Sequence, residues 1–436
     1  MATKFQYSNL ILSITEAIDL ISPIVANHHK LVAYISYNLA KQLGLSTEEQ
    51  IELEIAGSLH DIGGLTRLER FDSTRFEYKD SNLHTEKGYL LLRSVKPLSN
   101  VAKMIRYHHQ NWFNGKCVGI DNQLIPLGSH ILNLADRVSA LISNEDENIL
   151  NLVEEVIRKV KKYEGSVFHP KIVEAFIEVA KKDSFWLEMR YLEAPSFINK
   201  INNHHFDSVN DKNFEEFIIL ISRIIDFKSR FTAAHSATVA TCAESIAKYL
   251  GFNKDELKMI RYAGYIHDLG KLAIPTEILE KPSSLSKEEF ALMRSHTFHT
   301  NRVLSKVVGF DTIRIWGALH HEKLNGKGYP FGLKDKDIPL GSRIMAVADI
   351  FTATREKRSY RERMSKEKTL NVLVSMANAY EIDEKVVDIV INNFDEIDKA
   401  REKAYRNAIL EYEKFTQEFE TSKNSMLNFD SILNFD

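Results

Sequence analysis

Cysteine is nearly absent from this sequence of 436 residues. Only Cys117 and Cys242 are present, which excludes a disulfide framework and a cysteine-rich zinc site. A reducing cytosol is the natural setting for such a chain, so we expect a cytoplasmic protein. The 16 histidines offer far more candidate metal ligands than the two thiols.

Long uninterrupted hydrophobic segments are also missing. The apolar stretch at residues 10–25 is interrupted by Glu16, Asp19 and Pro23, which predicts an amphipathic first helix rather than a signal peptide or a membrane span. The formal net charge of −3 gives no broad positive field for a nucleic-acid polymer. We therefore expect neither a membrane nor a nucleic-acid polymer as a partner.

Signals for β-strands are scarce as well. The β-branched residues fall mostly within helix-period patterns, and no Asn-Gly or Asp-Gly dipeptide separates two alternating runs. The sequence therefore predicts an all-α protein built as two tandem helical bundles.

A repeated pattern of polar residues runs through the chain. Seven residues recur in the second half of the chain at a nearly constant offset. The offset is 207 positions for the pairs His28/His235, His60/His267 and Asp61/Asp268. It is 212 for His84/His296, His108/His320 and His109/His321, and 213 for Asp136/Asp349. The predicted helix stops at Gly44 and Gly251 keep the same register. Polar residues that keep step over this length predict an internal duplication.

The duplication predicts the domain organisation. Residues 8–182 form a first helical domain, 183–212 a linker, 213–398 a second helical domain, and 399–436 a C-terminal helix and tail. The tail repeats the sequence Leu-Asn-Phe-Asp at residues 427–430 and 433–436. Its phenylalanines could dock on the protein itself or on another chain, so a homodimer or a protein partner bound through the C-terminal helix and tail stays open.

The second repeat carries a full set of metal-type side chains on or beside predicted helices, namely His235, His267, Asp268, His296, His320, His321 and Asp349. Imidazole and carboxylate suit first-row divalent ions. Neighbouring side chains on a helix diverge by about 100°, so His267 can face one ion while Asp268 bridges toward a second. Two ions ~3.5–4 Å apart can hold a hydroxide between them and stabilise a phosphoryl oxygen, which suits phosphodiester hydrolysis.

Lys271, about one turn beyond Asp268, adds a cation. Asp268 and Lys271 are therefore the predicted catalytic residues.

A glycine-rich loop follows the histidine pair His320 and His321 directly. It contains Gly328, Tyr329 and Pro330, and glycine allows the backbone to approach a phosphate closely. The pattern therefore predicts a substrate-binding loop beside the metal ligands. A simple turn after a helix is the alternative interpretation.

These motifs resemble a known family. The run from His267 to Lys271, His-Asp-Leu-Gly-Lys, is similar to the signature of the HD metal-dependent phosphohydrolase superfamily, and together with Gly328-Tyr329-Pro330 it resembles the HD-GYP branch. The similarity extends over nearly all of the second repeat, whereas the first repeat resembles the plain HD fold. The whole chain thus resembles a tandem HD plus HD-GYP protein.

The resemblance implies an activity and a cofactor. HD-GYP enzymes hydrolyse cyclic dinucleotides, chiefly cyclic di-GMP and sometimes cyclic GMP-AMP, with a bound pair of iron or manganese ions. The expected product is the linear dinucleotide, followed by mononucleotides if a second cut occurs. Two rival hypotheses stay open: an HD phosphohydrolase that acts on another nucleotide, and a non-catalytic cyclic-dinucleotide receptor.

The resemblance also implies roles for individual residues. One ion would be held by His235, His267, Asp268 and Asp349, and the other by Asp268, His296, His320 and His321. Lys271 matches the active-site lysine. Arg358 and Arg361 match positions of cations near the substrate phosphates, although a solvated basic run is their alternative interpretation. Phe231 stands where some members have a glutamate that supports a third metal, so two metals are expected.

The first repeat keeps the ligand types but loses the substrate apparatus. Its metal-type residues are His28, His60, Asp61, His84, His108, His109 and Asp136, so a further metal pair there is an open expectation. Gly64 stands in place of Lys271, residues 114–119 replace the Gly-Tyr-Pro loop, and Glu145 and Asn148 replace the two arginines. Fewer cations disfavour a phosphodiester ligand. A regulatory partner, a sensor of a metal or small molecule, and a second hydrolase are the three interpretations of this domain.

Overall fold

The structure is a computed structural model, and it describes residues 7–21, 27–66, 83–115, 119, 124–142, 148–192, 211–229, 232–356 and 362–433. Helices dominate these ranges, which contain no strand; an isolated β-bridge joins Glu164 and Phe168. The prediction of an all-α fold is therefore confirmed. None of the described helices is long and apolar enough to cross a membrane.

Residue contacts divide the chain into two compact units. The N-terminal unit comprises Gln6–Asn213 together with Phe415–Asp436, and the C-terminal unit is built on Phe214–Lys414. The division lies close to the predicted start of the second helical domain, at residue 213. The final stretch of the chain belongs to the N-terminal unit, which the sequence did not predict.

The N-terminal unit contains nine α-helices in its described residues up to residue 192. They are α1 Tyr7–Asp19, α2 His28–Gln42, α3 Thr47–Leu59, α4 Leu83–Leu92, α5 Ser99–Arg106, α6 Leu127–Leu141, α7 Val153–Lys162, α8 Pro170–Ala180 and α9 Asp183–Glu188. Helix α9 falls in the predicted linker. Phe185 and Trp186 of α9 are buried, and Trp186 Nε1 donates a hydrogen bond of 2.9 Å to the carbonyl of Ala180. The linker segment therefore begins as a packed helix, and residues 193–210 lie outside the described ranges.

The C-terminal unit repeats much of this helix order. Its helices are α10 Asp211–Asp226, α11 His235–Tyr249, α12 Lys254–Ile266, α13 Thr276–Leu279, α14 Lys287–Leu304, α15 Asp311–Ala318, α16 Leu340–Arg355, α17 Lys366–Asn378 and α18 Glu384–Asn392. The last helix, α19 Phe394–Leu433, begins before residue 399, where the C-terminal helix and tail were predicted to start. Phe394, Ile397 and Arg401 are buried near its start, so its first turns have an inward face.

Matching caps fix where the two His-Asp motifs lie. Ser46 and Glu49 form a capping box at the start of α3, and Asn253 and Glu256 form one at the start of α12. Reciprocal capping satisfies backbone N–H groups that the first helical turn leaves without partners. Both helices then run for 13 residues, and His60 or His267 follows directly after the last helical residue.

Glycines allow the close helix packing that surrounds each motif. A Cβ atom on Gly57 would lie 2.6 Å from the Cα of Ala33, and one on Gly264 would lie 2.4 Å from the Cα of Ala240. Such distances exclude any side chain at these two positions. Helix α3 therefore packs directly against α2, and α12 against α11, which brings the histidine at the start of one helix close to the histidine at the end of the other.

Candidate metal centre and active-site cavity

Several helices of the C-terminal unit bring one cluster of histidines and aspartates together. Its members are His235 at the start of α11, His267 and Asp268 after α12, His296 on α14, His320 and His321 after α15, and Asp349 on α16. His321 and Asp349 are half-buried, whereas the other five are buried. Two triplets, His235/His267/Asp268 and His296/His320/His321, each place their ligand atoms within 4.8 Å of one another.

Asp268 belongs to the first triplet and also contacts the second. Its Oδ2 is 3.2 Å from His267 Nε2, and its Oδ1 is 3.4 Å from His296 Nε2. His235 Nε2 lies 3.3 Å from Asp349 Oδ1 on one side of the cluster. This arrangement agrees with the predicted bridging position of Asp268.

Hydrogen bonds to the backbone orient three of the imidazoles. Nδ1 of His267, His296 and His320 donates to the carbonyl three residues earlier at 2.8, 2.7 and 2.6 Å. The proton on Nδ1 leaves the Nε2 lone pair facing the cluster, as in metal-binding histidines. His267 Nε2 and Asp268 Oδ1 are buried and make no hydrogen bond. Buried polar atoms without partners are costly, so this donor set fits a divalent ion.

The protonation states of His296, His321 and Asp268 suit metal binding. Burial lowers the pKa of His296 to about 3 and that of His321 to about 4, so both imidazoles are neutral at neutral pH. Burial raises the pKa of Asp268, but His267 and Lys271 outweigh it and hold that pKa well below its usual range. Neutral imidazoles beside an ionised carboxylate are the forms that ligate metals.

Lys271 reaches the cluster as the sequence predicts. Its Nζ donates a hydrogen bond of 2.6 Å to Asp268 Oδ2. The turn that carries it is held by Lys228, a buried lysine whose Nζ donates to the carbonyls of Leu272 and Ile274, both at 2.7 Å. A Cβ atom on Gly270 would lie 1.9 Å from the carbonyl oxygen of His296, so only glycine permits this close approach of the turn to α14.

The Gly-Tyr-Pro loop lies directly beside His321. Tyr329 N donates to the carbonyl of His321 at 3.2 Å, and the two ring centroids are 4.9 Å apart. A Cβ atom on Gly328 would lie 2.3 Å from Lys323 N, so the loop needs glycine at that position. The buried carboxylate of Glu322 accepts hydrogen bonds from Phe331 N at 2.7 Å and Leu333 N at 2.9 Å.

A cavity of about 980 Å³ opens onto the cluster. Its polar lining includes His235, Lys271, His296, His321, Asp349 and Glu356, and its apolar lining includes Leu279, Leu285, Phe290, Ile350 and Val372. A cavity of this size with a few convergent polar groups is typical of a small-molecule site.

The N-terminal unit brings its seven metal-type residues together in the same way. His28 Nε2 lies 3.1 Å from Asp136 Oδ1, and His84 Nε2 lies 3.3 Å from Asp61 Oδ1. His84 Nε2 also lies 3.1 Å from the Nε2 of His109. Two ligands at right angles, each bonded at about 2.1 Å, would be about 3 Å apart, so these separations fit an ion.

The imidazoles of the N-terminal cluster are oriented like their counterparts. Nδ1 of His60 and of His108 donates to the carbonyl three residues earlier, at 2.8 and 2.7 Å. Their buried Nε2 atoms make no hydrogen bond. Around this cluster the side chains differ, because Gly64 replaces Lys271 and the buried Arg137 replaces Ile350, with Arg137 Nη2 lying 3.4 Å from His109 Nδ1.

Comparisons with known proteins identify the family. The HD domain family matches the chain twice, at residues 13–172 and 220–386. This chain belongs to the HD domain family. The first match contains the N-terminal cluster and the second contains the C-terminal cluster, and the resemblance predicted from the sequence is confirmed. An origin of the two HD domains by duplication stays a prediction.

Named relatives of this HD domain chain include phosphodiesterases. The 3'3'-cGAMP-specific phosphodiesterase 1 of Vibrio cholerae serotype O1 is 30% identical over 389 residues, which are 87% of this chain and 90% of the relative. The cyclic di-GMP phosphodiesterase of Thermotoga maritima is 34% identical over 172 residues, 38% of this chain and 46% of the relative. The crystal structure of a cyclic GMP-AMP specific phosphodiesterase of V. cholerae shares the fold, with a TM-score of 0.60 at 23% identity, covering 90% of this chain and 98% of that one.

The second HD domain also contains a hydrogen-bond partner of His235 that the sequence did not predict. Glu356 is buried, its Oε2 accepts from His235 Nδ1 at 3.1 Å, and its Oε1 accepts from Thr238 at 3.0 Å. In the first HD domain, a hydroxyl has this role, since Ser139 Oγ lies 2.9 Å from His28 Nδ1. Glu356 lies 121 positions from His235, so no local motif marks it. A glutamate directly after the helix that carries Asp349 was the only signal.

Some predicted positions of the two HD domains lie outside the described residues. They are Phe231, Arg358, Arg361, Glu145 and residues 116–118. The roles proposed for Arg358 and Arg361 near substrate phosphates therefore stay predictions. The identification of the fourteen clustered residues as metal ligands also stays a prediction, which their geometry supports.

Proposed function

We propose that this chain is a metal-dependent phosphodiesterase that hydrolyses cyclic dinucleotides in its C-terminal HD domain. The observation that carries the proposal is the joint presence, in one cavity, of a His/Asp cluster suited to divalent ions and of Lys271. The phosphodiesterase names of relatives that align along most of the chain support it. Cyclic GMP-AMP and cyclic di-GMP are the two proposed substrates, and the linear dinucleotide is the first product.

The residues that would hold two ions are those of the C-terminal cluster. His235, His267, Asp268 and Asp349 would hold one, and Asp268, His296, His320 and His321 the other; iron or manganese suits this set of imidazoles and carboxylates. When bound, such ions supply Lewis-acid stabilisation for the charge that develops on phosphoryl oxygens. The carbonyl-bonded imidazoles keep their Nε2 atoms directed at the cluster, which fixes the site before substrate arrives.

The remaining residues position the substrate. Lys271 has three N–H donors, one of which bonds to Asp268, so two remain for phosphoryl oxygens. The loop at Gly328, Tyr329 and Pro330 forms the edge of the site beside His321. Buried groups that hold donors in place before reaction stabilise developing charge without a reorganisation cost.

We further propose that the N-terminal HD domain binds its own metal pair through the seven residues from His28 to Asp136. The buried Nε2 atoms of His60 and His108, which make no hydrogen bond, support this. Without a counterpart of Lys271, this domain would regulate rather than hydrolyse. We place the activity in the cytoplasm, in keeping with the low cysteine content.

The test is product analysis with purified, metal-loaded protein. The protein is purified without oxygen, loaded with iron or manganese, and incubated with both cyclic dinucleotides and with a panel of nucleoside phosphates. Chromatography should detect the linear dinucleotide with the parent and none with the Asp268→Ala variant, whose fold is checked by circular dichroism. Hydrolysis of nucleoside phosphates alone, or binding without any product, would overturn the proposal.

A further inference from the structure

The active-site cavity extends beyond the metal-type cluster. Its lining includes Lys281 and Phe290, neither of which belongs to the cluster or to the Gly-Tyr-Pro loop. Both residues lie in or just after the segment that connects Lys271 to α14. That segment is longer in the second repeat, because Asp268 and His296 are 28 positions apart whereas Asp61 and His84 are 23 apart. The extra residues therefore belong to a stretch that lines the cavity.

Lys281 is held in place at the cavity wall. Its Nζ donates to Glu289 Oε2 at 2.5 Å, and the same oxygen accepts from Ser286 N at 2.7 Å. Ser286 and Glu289 form the capping box that starts α14, so the partner of the lysine is itself fixed. An ammonium group has three N–H donors, and Glu289 accepts from one of them. Two donors of a preorganised cation remain for a ligand.

Phe290 presents an accessible aromatic ring to the cavity. Its side chain is 48% exposed although it lines a partly enclosed site. The ring lies 6.5 Å from the ring of Tyr329 at an interplanar angle of 86°, so the two rings do not stack face to face. Leu279, Leu285 and Val372 complete an apolar wall in the same cavity. Aromatic side chains bind nucleobases by stacking.

We propose that Lys281 and Phe290 form a second subsite for the substrate, in which Phe290 stacks on a nucleobase and Lys281 binds the phosphate that is not being cleaved. This inference rests on the proposed function. A cyclic dinucleotide has two phosphates and two bases, and only one phosphate can occupy the His/Asp cluster at a time. The second phosphate and a base therefore need partners elsewhere in the cavity, and these two residues supply a cation and an aromatic face.

The role of Lys281 is tested with steady-state kinetics on the metal-loaded full-length protein. Lys281→Gln should raise the KM for a cyclic dinucleotide about 10-fold, the size expected for one lost bond to a charged group, while kcat changes little. Lys281→Arg should restore most of the KM. The matched control is Lys287→Gln, which removes an exposed lysine at the start of α14.

A substrate with a single phosphate separates subsite binding from a structural effect. Bis(p-nitrophenyl) phosphate has no second phosphate, so Lys281→Gln should lower the ratio of kcat/KM for the cyclic dinucleotide to kcat/KM for this compound by about 10-fold. Equal losses on both substrates would overturn the proposed role of Lys281.

The role of Phe290 is tested with an aromatic rescue. Phe290→Ala should raise the KM for the cyclic dinucleotide about 10-fold, because stacking on one base contributes that much, and Phe290→Trp should return it to the parent value. Phe298→Ala is the matched control, because Phe298 is on the same helix and 45% exposed, with its ring 6.4 Å from that of Phe331. Equal KM values for Phe290→Ala and Phe298→Ala would overturn the subsite.

The outcomes distinguish this inference from the proposed function. If the parent hydrolyses cyclic dinucleotides and the Lys281 and Phe290 variants keep the parent KM, the subsite is wrong and the proposed function stands. If the parent neither binds nor hydrolyses a cyclic dinucleotide, both are wrong. Titration calorimetry with each cyclic dinucleotide supplies the binding measurement.

Discussion

The ammonium group of Lys271 lies 2.6 Å from Oδ2 of Asp268, and that same oxygen lies 3.2 Å from Nε2 of His267. The ammonium group of a lysine thus contacts the carboxylate at the centre of the cluster. The first HD domain has Gly64 at the corresponding position, which cannot supply a charge. The two domains therefore share a ligand set and differ in the group next to it that can bind a phosphoryl oxygen.

Replacing Lys271 should reduce catalysis without removing the metal. Lys271→Met is expected to lower kcat about 100-fold or more, the loss typical of one preorganised donor to developing charge, while the His/Asp ligands keep the metal content of the parent. Rates on a cyclic dinucleotide and elemental analysis of the same sample measure both effects. Lys254→Met, which changes an exposed lysine of the same unit, is the control. A kcat within about twofold of the parent would contradict a catalytic role.

Glu356 should act on metal affinity through His235. Its carboxylate accepts from His235 Nδ1 and from Thr238, and such partners of a ligating imidazole contribute about 10- to 100-fold in affinity. Glu356→Gln should therefore weaken metal binding by that factor, measured by competition with a chelator of known affinity. Glu277→Gln, an exposed residue of the same unit, serves as the control. Unchanged affinity would show that Glu356 does not support the site.

The contrast between His235 and Glu356 shows how far the sequence could predict this site. Three of the site residues, His267, Asp268 and Lys271, are close in sequence and follow directly after one capped helix. Their proximity therefore follows from local structure. The histidines that are distant in sequence are predictable because the repeat supplies an internal comparison. Glu356 and Lys228 act on residues 121 and 43 or more positions away, and only tertiary packing brings them there. Long-range partners of this kind have no sequence period or motif.

Glu322 should control the order of the Gly-Tyr-Pro loop. Both of its carboxylate oxygens accept backbone hydrogen bonds, from Phe331 and Leu333, and a glutamine offers only one acceptor oxygen. Glu322→Gln should leave one part-buried backbone N–H without its partner, at a cost of about 1 kcal/mol. We expect the rate of hydrogen exchange at the Phe331 and Leu333 amides to rise about 10-fold above that of the parent. The KM for the cyclic dinucleotide should also rise.

The control for this loop is Glu381→Gln. Glu381 forms an ion pair with Lys323 at 2.9 Å in the same region, and its side chain accepts from no loop amide among the described residues. Exchange at Phe331 and Leu333 that stays at the parent rate in Glu322→Gln would contradict the predicted role of Glu322.

The N-terminal cluster should be visible in the metal content of the protein. If both clusters bind pairs, the parent holds about four ions per chain, and Asp61→Ala or Asp268→Ala should each reduce this to about two. Asp19→Asn is the matched control, since Asp19 lies 2.6 Å from Nδ1 of His29, which is not one of the predicted ligands. A parent that holds about two ions, with no further loss in Asp61→Ala, would restrict metal binding to the C-terminal domain.

Asp398 should stabilise the C-terminal domain in a pH-dependent way. It accepts from Arg355 Nη2 at 2.7 Å and from Arg401 Nε at 2.7 Å, and both arginines are buried. Burial raises the pKa of Asp398, but the two arginines outweigh it and lower that pKa below the ordinary value of 3.8. A carboxyl with a depressed pKa in the folded state stabilises the fold above its unfolded pKa, and this contribution is lost as pH falls through the folded pKa.

Asp398→Asn should therefore lower the free energy of unfolding by about 1–3 kcal/mol at neutral pH, because two buried guanidinium groups lose a charged partner. The difference from the parent should stay constant down to a pH of about 5 and shrink below about 4. Urea denaturation followed by circular dichroism at several pH values measures it. Asp395→Asn is the control, since Asp395 is 82% exposed and pairs only with the exposed Lys366 among the described residues. A difference that does not change with pH would mean that the charge of Asp398 contributes nothing, and that only its shape matters where α19 packs against the helix that carries Asp349.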